Sequence, residues 1–446
     1  MLLGGAAGLA FFGPTLGWLI DFSAVGFVGL LVLEVGLFGA AAALADLRRG
    51  RWWTLPAALV LLESVRASFP FGGFPIPGLA LGQLDGPFAA AAPLGGGLLV
   101  VGLSTGVGAA AAALWFTSRR ARVLLIVSTL AATTAAGIVL AAPHSKPVGS
   151  LSAVLVQGGG PRGIPAVLSD SRAVTERQVR LSAAIEPGVD LVLWPESSIG
   201  VTGSVVGADE AARVAELARR TGATVVAGVS EAVGDGFRNS AIAWGPDGRL
   251  LDRYEKVHRV PFGEYIPARA LLERLTDATA LVPRDAIPGR GPGLLETPAG
   301  ALGVVISYEV FFSDRARAAV SAGGQVLVVP TNAASYTTEE IPATEVAAAR
   351  MRAREMDRAV LQTAPTGYSA AVLPTGEVVV QSALGTPEVL RATVPLNDGL
   401  TLYARTGDWP VLALAIAALL IAPLWSGVLR LGPAVRRRGT GSRTAA

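Results

Sequence analysis

Apolar runs long enough to cross a bilayer recur through the first ~145 residues, and one more lies near the C-terminus. The hydrocarbon core offers the backbone no partner except its own helix, so a span needs about 20 consecutive, mostly apolar residues. The candidates are Leu2–Ile20, Ala24–Ala45, Trp53–Val65, Phe88–Phe116, Val123–Ala142 and Trp409–Leu429. The third is the shortest, because Glu63 and Arg66 interrupt it. The fourth is rich in Gly and Ala and is expected to tilt or to begin as loop. Composition agrees: 51% of residues are hydrophobic, only 16% are charged, and the mean hydropathy is +0.51. An ordinary soluble enzyme is less apolar than this.

Basic loops tend to stay in the cytoplasm. Arg48, Arg49 and Arg51 follow the second run, Arg119, Arg120 and Arg122 follow the fourth, and Arg436, Arg437 and Arg438 follow the last. Six spans place all three clusters inside and put residues 143 to 408 outside. Leu2–Ile20 lacks a basic n-region, so it reads as a span and not as a signal peptide. The basic tail from Arg436 reads as a disordered cytoplasmic end. A net charge of +3 gives no reason to expect nucleic acid. Charged groups inside spans are costly unless paired. Glu63 and Arg66 therefore read as an internal ion pair holding the bundle or as a lipid-headgroup site, with the structural pair favoured. Glu34 fits a similar role or an interfacial position. Tyr403 and Trp409 suit the outer aromatic belt.

From about Leu151 to Val394 short β-rich runs alternate with charged helical stretches, the signature of an α/β domain. Strands are expected at Ala153–Val156, Leu191–Leu193, Thr224–Gly228, Ala301–Ile306 and Val326–Val329, and helices at Ala211–Arg220 and Glu345–Val360. Gly245-Pro-Asp-Gly248 and Pro374-Thr-Gly-Glu377 read as turns between strands. The chain thus divides into a helical bundle at 1–146, an α/β domain at 147–398, and a final span with its tail at 399–446.

The chain has no cysteine and two histidines, His144 and His258. Disulfides, thiolate metal sites and a cysteine nucleophile are excluded, and neither a metal nor a cofactor is expected. Three places look chemical. Leu191-Val-Leu-Trp-Pro-Glu196 is an apolar strand ending in a carboxylate. Tyr254-Glu-Lys256 precedes Val260-Pro-Phe-Gly-Glu-Tyr-Ile-Pro267. Gly303-Val-Val-Ile-Ser307-Tyr-Glu309 ends a buried strand in a hydroxyl. Strand C-terminal ends are where α/β folds place their sites. A weak nucleophile needs a base, which a carboxylate supplies, and a developing oxyanion needs a donor, which a lysine supplies. The structural alternative is a buried Glu196–Lys256 ion pair and a small polar residue closing a strand. His258 reads as a satisfied loop residue.

Together these segments resemble the carbon–nitrogen hydrolase (nitrilase) superfamily, and more narrowly the bacterial apolipoprotein N-acyltransferase family. The motifs are Leu193-Trp-Pro-Glu-Ser197, Tyr254-Glu-Lys256, Val260–Pro267, Ile306-Ser-Tyr-Glu309, Ala349-Arg-Met-Arg-Ala-Arg-Glu355 and Tyr403-Ala-Arg-Thr-Gly-Asp-Trp-Pro410. Glu63-Ser-Val-Arg66 and Gly82-Gln-Leu-Asp-Gly-Pro87 extend the resemblance into the bundle. It implies an α-β-β-α sandwich on the extracytoplasmic face of a multi-pass cell-membrane protein. It also implies Glu196 as general base, Lys256 as oxyanion stabiliser, Ser307 at the nucleophile position, and Glu264 and Glu309 as supporting acids. The implied reaction is ping-pong: a phospholipid acylates the nucleophile, and the chain passes to the α-amino group of a lipoprotein's diacylglyceryl-cysteine. A monomer is expected. The family has cysteine where this chain has Ser307, which implies weak or absent turnover, because a hydroxyl is far harder to deprotonate than a thiol. The family also has two further spans before the point where this chain starts, which suggests a truncated N-terminus. Asn332-Ala-Ala-Ser335, near the substrate mouth, and Gln157-Gly-Gly159 depart from family patterns. The competing functions are a non-catalytic homologue that binds lipoproteins and a membrane-anchored amidase or nitrilase.

Overall fold

The computed structural model of the protein describes residues 1–45, 51–116, 145–167, 169–274, 279–280 and 282–424. The expected run Val123–Ala142 lies outside them, as do all of the arginines in the three basic clusters except Arg51. In the N-terminal part, Leu2–Thr15 and Ala24–Leu44 form an antiparallel pair. Glycine permits their close approach: a Cβ on Gly4 would lie 2.3 Å from that of Ala42, and one on Gly8 would lie 3.0 Å from that of Phe38. The second helix begins where the Ser23 hydroxyl accepts from the Gly26 amide at 2.9 Å, a side-chain N-cap. Its 21 residues run about 32 Å, enough for a hydrocarbon core.

Among the described residues, Ala24–Leu44 and Pro87–Ala113 are long and apolar enough to cross a membrane. Leu2–Thr15 and Trp409–Ile421 are apolar but shorter, and Thr54–Arg66 has 13 residues. The Gly/Ala-rich run is a short 3₁₀ turn at Pro87–Ala91 followed by a helix over Ala92–Phe116, kinked where Gly95 and Gly96 leave helical geometry. Arg66 is 1% exposed. It donates to Glu34 and to Glu63, each at 2.7 Å, and to the Ile76 carbonyl at 3.3 Å. Its guanidinium also lies 4.8 Å from the Phe12 ring centroid. The other Glu63 oxygen accepts from the Leu79 amide.

The α/β part contains strands β1 Gly149–Gln157, β2 Leu191–Leu193, β3 Ile199–Thr202, β4 Thr224–Val233, β5 Gly236–Trp244, β6 Leu250–Glu255 and β7 Asp285–Ala286. These are followed by β8 Leu294–Thr297, β9 Gly300–Val304, β10 Val326–Pro330, β11 Val360–Thr363, β12 Ala370–Val372, β13 Val378–Gln381 and β14 Glu388–Leu396. One sheet runs β14-β1-β2-β4-β5-β6, with β3 and β7 attached to β4 and β5; the other runs β13-β12-β11-β10-β9-β8.

Side-chain alternation sorts each strand between two cores. Ala153 and Leu155 pack with Leu302, Val304, Val326 and Val328 between the sheets. Val154 and Val156 face the opposite way, into a core with Val214, Leu217 and Ala218 of the helix Asp209–Thr221. On the far face of the second sheet, Val305, Leu327 and Val329 pack against Ala348, Ala349 and Ala353 of the helix Glu340–Met356. The result is the expected α-β-β-α sandwich. Both expected turns lie between antiparallel strands, β5–β6 and β12–β13.

Several expected boundaries shift, two of them in elements that bear on the site. The helix read as Glu345–Val360 begins at Glu340 and stops at Met356, because Asp357 takes a left-handed φ of 52° and Val360 opens β11. The strand read as Ala301–Ile306 ends at Val304, and a 3₁₀ turn over Ser307–Phe311 follows.

The helical segment packs on the sandwich beside this turn. Tyr308 donates its hydroxyl to the Gly73 carbonyl at 2.8 Å, and Tyr265 donates to the Phe71 carbonyl at 3.2 Å. Thr337 bonds Asp21 at 2.7 Å, and the Gly97 amide donates to Glu355 at 2.8 Å. Arg350 pairs with Asp85.

Candidate active site

Glu196 follows β2 after Trp194 and Pro195, where the chain turns over β4. Gly228 makes room for that turn: a Cβ there would lie 2.4 Å from the Glu196 Cα and 2.4 Å from the Pro195 oxygen. Lys256 follows directly on β6, and its amide donates to the Asn239 carbonyl on β5 at 2.8 Å. The two side chains meet: Lys256 Nζ lies 2.8 Å from Glu196 Oε1 and 2.9 Å from Glu264 Oε1. Asn239 Nδ2 donates to the same two oxygens at 2.7 and 2.9 Å. The second Glu264 oxygen accepts from the Val260 amide at 2.8 Å, which fixes the loop between them.

One ammonium serves two carboxylates in a space almost closed to water; Lys256 is 2% exposed and Glu196 is 5% exposed. Burial opposes the lysine's charge, but Glu196 and Glu264 outweigh it and hold its pKa above the usual lysine range. Burial raises Glu196 above the usual carboxylate range, with Lys256 opposing and Glu264 adding to the rise. The directions are compatible because the single cation compensates only one of the two anions.

Ser307 sits at the C-terminal side of β9 with φ +49°, a left-handed backbone that is rare outside glycine. Such strain, of order 1–3 kcal/mol, concentrates at functional sites. Its hydroxyl lies 3.2 Å from Thr331 Oγ1 and 3.5 Å from Glu345 Oε1, and Thr331 Oγ1 lies 2.6 Å from that same carboxylate oxygen. Neither Thr331 nor Glu345 was among the expected residues. Thr331 directly follows β10, the same strand-end placement as Ser307 and Glu196. Glu345 lies four residues after Ile341 and four before Ala349, both buried, so helical spacing puts it on the core-facing stripe. Burial raises the Glu345 pKa to about 7, with Thr331 opposing the shift, Glu196 adding to it, and Lys256 and Ser307 opposing.

Glu309 does not join the lysine cluster. Its carboxylate accepts from the Ile306 amide at 2.9 Å, from the Val257 and His258 amides at 2.8 and 3.0 Å, and from the Tyr254 hydroxyl at 2.9 Å. His258 packs against Phe312 with ring centroids 4.3 Å apart and planes tilted by 52°, and lies 3.7 Å from Asp314. Gln157, in one of the departing segments, is buried and bonded on both sides, donating to Ala383 and Thr386 and accepting from Ser369 and Ser382.

Aromatic contacts join the two parts of the chain. Tyr336 packs against Trp18 and Phe22, with centroids 5.4 and 5.3 Å apart, and Phe262 packs against Phe71 at 5.7 Å. Phe22, Phe71 and Phe262 remain largely exposed.

Residues 153–401 match the family model described as carbon–nitrogen hydrolase, and residues 1–112 match the one described as apolipoprotein N-acyltransferase N-terminal domain. An apolipoprotein N-acyltransferase of Synechocystis sp. is 34% identical over 52% of this chain and 44% of its own length. One of Photobacterium profundum is 28% identical over 98% of this chain and 87% of its own. The chain spans about half the length of several curated relatives it matches. The solved structure of Saccharomyces cerevisiae Nit3, a member of branch 10 of the nitrilase superfamily, covers 60% of this chain and 97% of its own, at 20% identity and a TM-score of 0.44. The chain belongs to the carbon–nitrogen hydrolase family, with the N-terminal domain of the apolipoprotein N-acyltransferases preceding its hydrolase domain.

Proposed function

We propose that the protein is an apolipoprotein N-acyltransferase. It moves an acyl chain from a phospholipid to the α-amino group of a lipoprotein's N-terminal diacylglyceryl-cysteine, through an acyl-enzyme on Ser307. The observation that carries this reading is the buried Glu196–Lys256–Glu264 cluster together with the strand-end Ser307, whose neighbour Glu345 lies near enough to Glu196 and Lys256 to feel their charge. In this reading Lys256 stabilises the tetrahedral oxyanion, and Glu196 is the general base that takes the proton of the attacking amine. Glu264 and Glu309 position them. The Arg66 clasp with Glu34 and Glu63 holds helices together and does not bind headgroups, because its donors are directed at protein acceptors.

We further propose a multi-pass protein of the cell membrane, monomeric, with the sandwich on the extracytoplasmic side. Both substrates are anchored in that leaflet, and the exposed Phe22, Phe71 and Phe262, at contacts between the helical segment and the sandwich, offer apolar surface suited to acyl chains. Incubating the purified full chain with a phospholipid carrying a labelled acyl chain and a diacylated lipopeptide tests the function. Labelled triacyl peptide is the expected product, at a low rate that Ser307→Cys raises. Absence of product from both forms rejects acyl transfer. Lipopeptide binding without any acyl adduct identifies a non-catalytic binding homologue instead, and turnover of small amides identifies an amidase.

A further inference from the structure

We infer that Thr331 and Glu345 form a proton relay for Ser307, drawing the proton from its hydroxyl through the threonine onto the buried carboxylate. This rests on Ser307 being the nucleophile of the proposed reaction. A hydroxyl carries one hydrogen. Thr331 Oγ1 is 2.6 Å from Glu345 Oε1 and 3.2 Å from Ser307 Oγ, so its hydrogen belongs to the shorter contact with the carboxylate. Ser307 is then the donor to Thr331. The direct Ser307–Glu345 separation of 3.5 Å is too long to compete. The hydrogens therefore point one way, from Ser307 to Thr331 to Glu345.

The surroundings suit a proton acceptor. Thr331 is fully buried and Glu345 is 3% exposed. The second oxygen, Glu345 Oε2, is buried without a hydrogen-bond partner among the described residues, so little besides Thr331 stabilises the negative charge and the carboxylate stays basic. The groups acting on Glu345 are Thr331, Ser307, Glu196 and Lys256, and Tyr336 lies near enough to feel its charge. With a pKa of about 7, the carboxylate is both ionised in a useful fraction and basic enough to accept a proton near neutral pH. Glu196, by contrast, has its Oε1 bound by Lys256 and Asn239. The relay supplies to an alcohol part of what a thiol gets from its own acidity.

The proton balance closes. As Ser307 Oγ bonds to the acyl carbon, its proton passes to Thr331 and the threonine's own proton passes to Glu345. When the ester C–O bond breaks, Glu345 returns a proton by the same route to the departing alkoxide, leaving the acyl-serine and a free alcohol. In the second half, the attacking amine loses a proton to Glu196, the general base of the proposed reaction, and that proton ends on Ser307 Oγ as the amide forms.

The test uses the purified full chain and p-nitrophenyl butyrate, an activated ester that acylates an alcohol without any phospholipid. It is read as p-nitrophenolate release and as added mass on the Ser307 peptide. The parent should acylate with a rate that rises through a single midpoint near pH 7. Glu345→Gln and Thr331→Val should each slow acylation about 100-fold or more and abolish the midpoint, whereas Thr331→Ser should keep both. In a Ser307→Cys background the Glu345→Gln penalty should shrink by about tenfold or more, since a thiol needs less help. Equal penalties in the serine and cysteine backgrounds would reduce Glu345 to a structural role and overturn the relay. So would an adduct on Cys but none on Ser, or parent-like acylation by Glu345→Gln. Normal acylation by the activated ester without transfer from phospholipid would reject the proposed function and leave the relay standing.

Discussion

The carboxylate of Glu309 lies 2.8 Å from the amide nitrogen of Val257, and through it the turn that carries Ser307 is tied to the segment that carries Lys256. The same carboxylate takes the Ile306 amide on one side and the His258 amide on the other. Two elements about fifty residues apart in sequence are thereby set relative to each other.

Glu309→Gln removes the charge and replaces one acceptor oxygen with a donor facing amide N–H groups. Loss of such charge-assisted bonds in a buried site costs about 1.5–3 kcal/mol. A lower thermal midpoint is expected, together with acylation slowed beyond what partial unfolding explains. Comparing the melting curve with the Ser307 acylation rate at a temperature where the variant is fully folded checks both.

Lys256→Met leaves Glu196 and Glu264 buried together on Asn239 without a cation. Breaking a buried pair from one side costs about 3–5 kcal/mol. The loss should be largest at alkaline pH. It should shrink as the pH falls, because burial already holds Glu196 above the usual carboxylate range and protonation relieves the repulsion. Thermal melts of parent and variant across pH 5 to about pH 8 measure it; a pH-independent difference would contradict the ion-pair account.

Glu345→Gln should stabilise the protein while it slows the chemistry. The folded-state pKa of Glu345 is raised from 4.5 to about 7. The carboxyl thus favours folding fully only below about 4.5, and that contribution is lost as the pH rises through about 7. A neutral amide escapes this loss. The variant should therefore gain up to roughly 3 kcal/mol over the parent at alkaline pH, and the gain should vanish toward pH 4.5. Equilibrium melts at the two ends of that range decide it.

Arg66→Leu strands Glu34 and Glu63, both 2.7 Å from the lost guanidinium, in the helical segment. A loss of about 3–5 kcal/mol is expected, and a triple change that makes all three positions apolar should recover most of it. Yield and melting temperature of detergent-solubilised protein provide the comparison.

Gly228→Ala places a methyl group against the Glu196 Cα, closer than any real contact. The turn after β2 must move, at a cost of about 1–3 kcal/mol. Because Glu196 moves with the turn, acyl transfer should fall even where the sandwich remains folded. Folding by circular dichroism and transfer to lipopeptide, measured on the same sample, separate the two effects.

Much of this architecture is written locally. Alternation along β1 already assigns Ala153 and Leu155 to one face and Val154 and Val156 to the other, because successive side chains of a strand point oppositely. Apolar run length marked Ala24–Ala45, where the helix Ala24–Leu44 forms, and strand-end placement singled out Glu196 and Ser307. Period and position of this kind need no partner to be read. They state which face is buried and not what is met there. The approach of Glu345 to Ser307, the joining of Glu34 to Arg66, the shared grip of Asn239 and Lys256 on two carboxylates, and the aromatic contacts of Trp18 and Phe71 with the sandwich all join segments distant in sequence. Those distances depend on how two twisted sheets, their covering helices and the N-terminal helices pack together. Only the tertiary structure decided them.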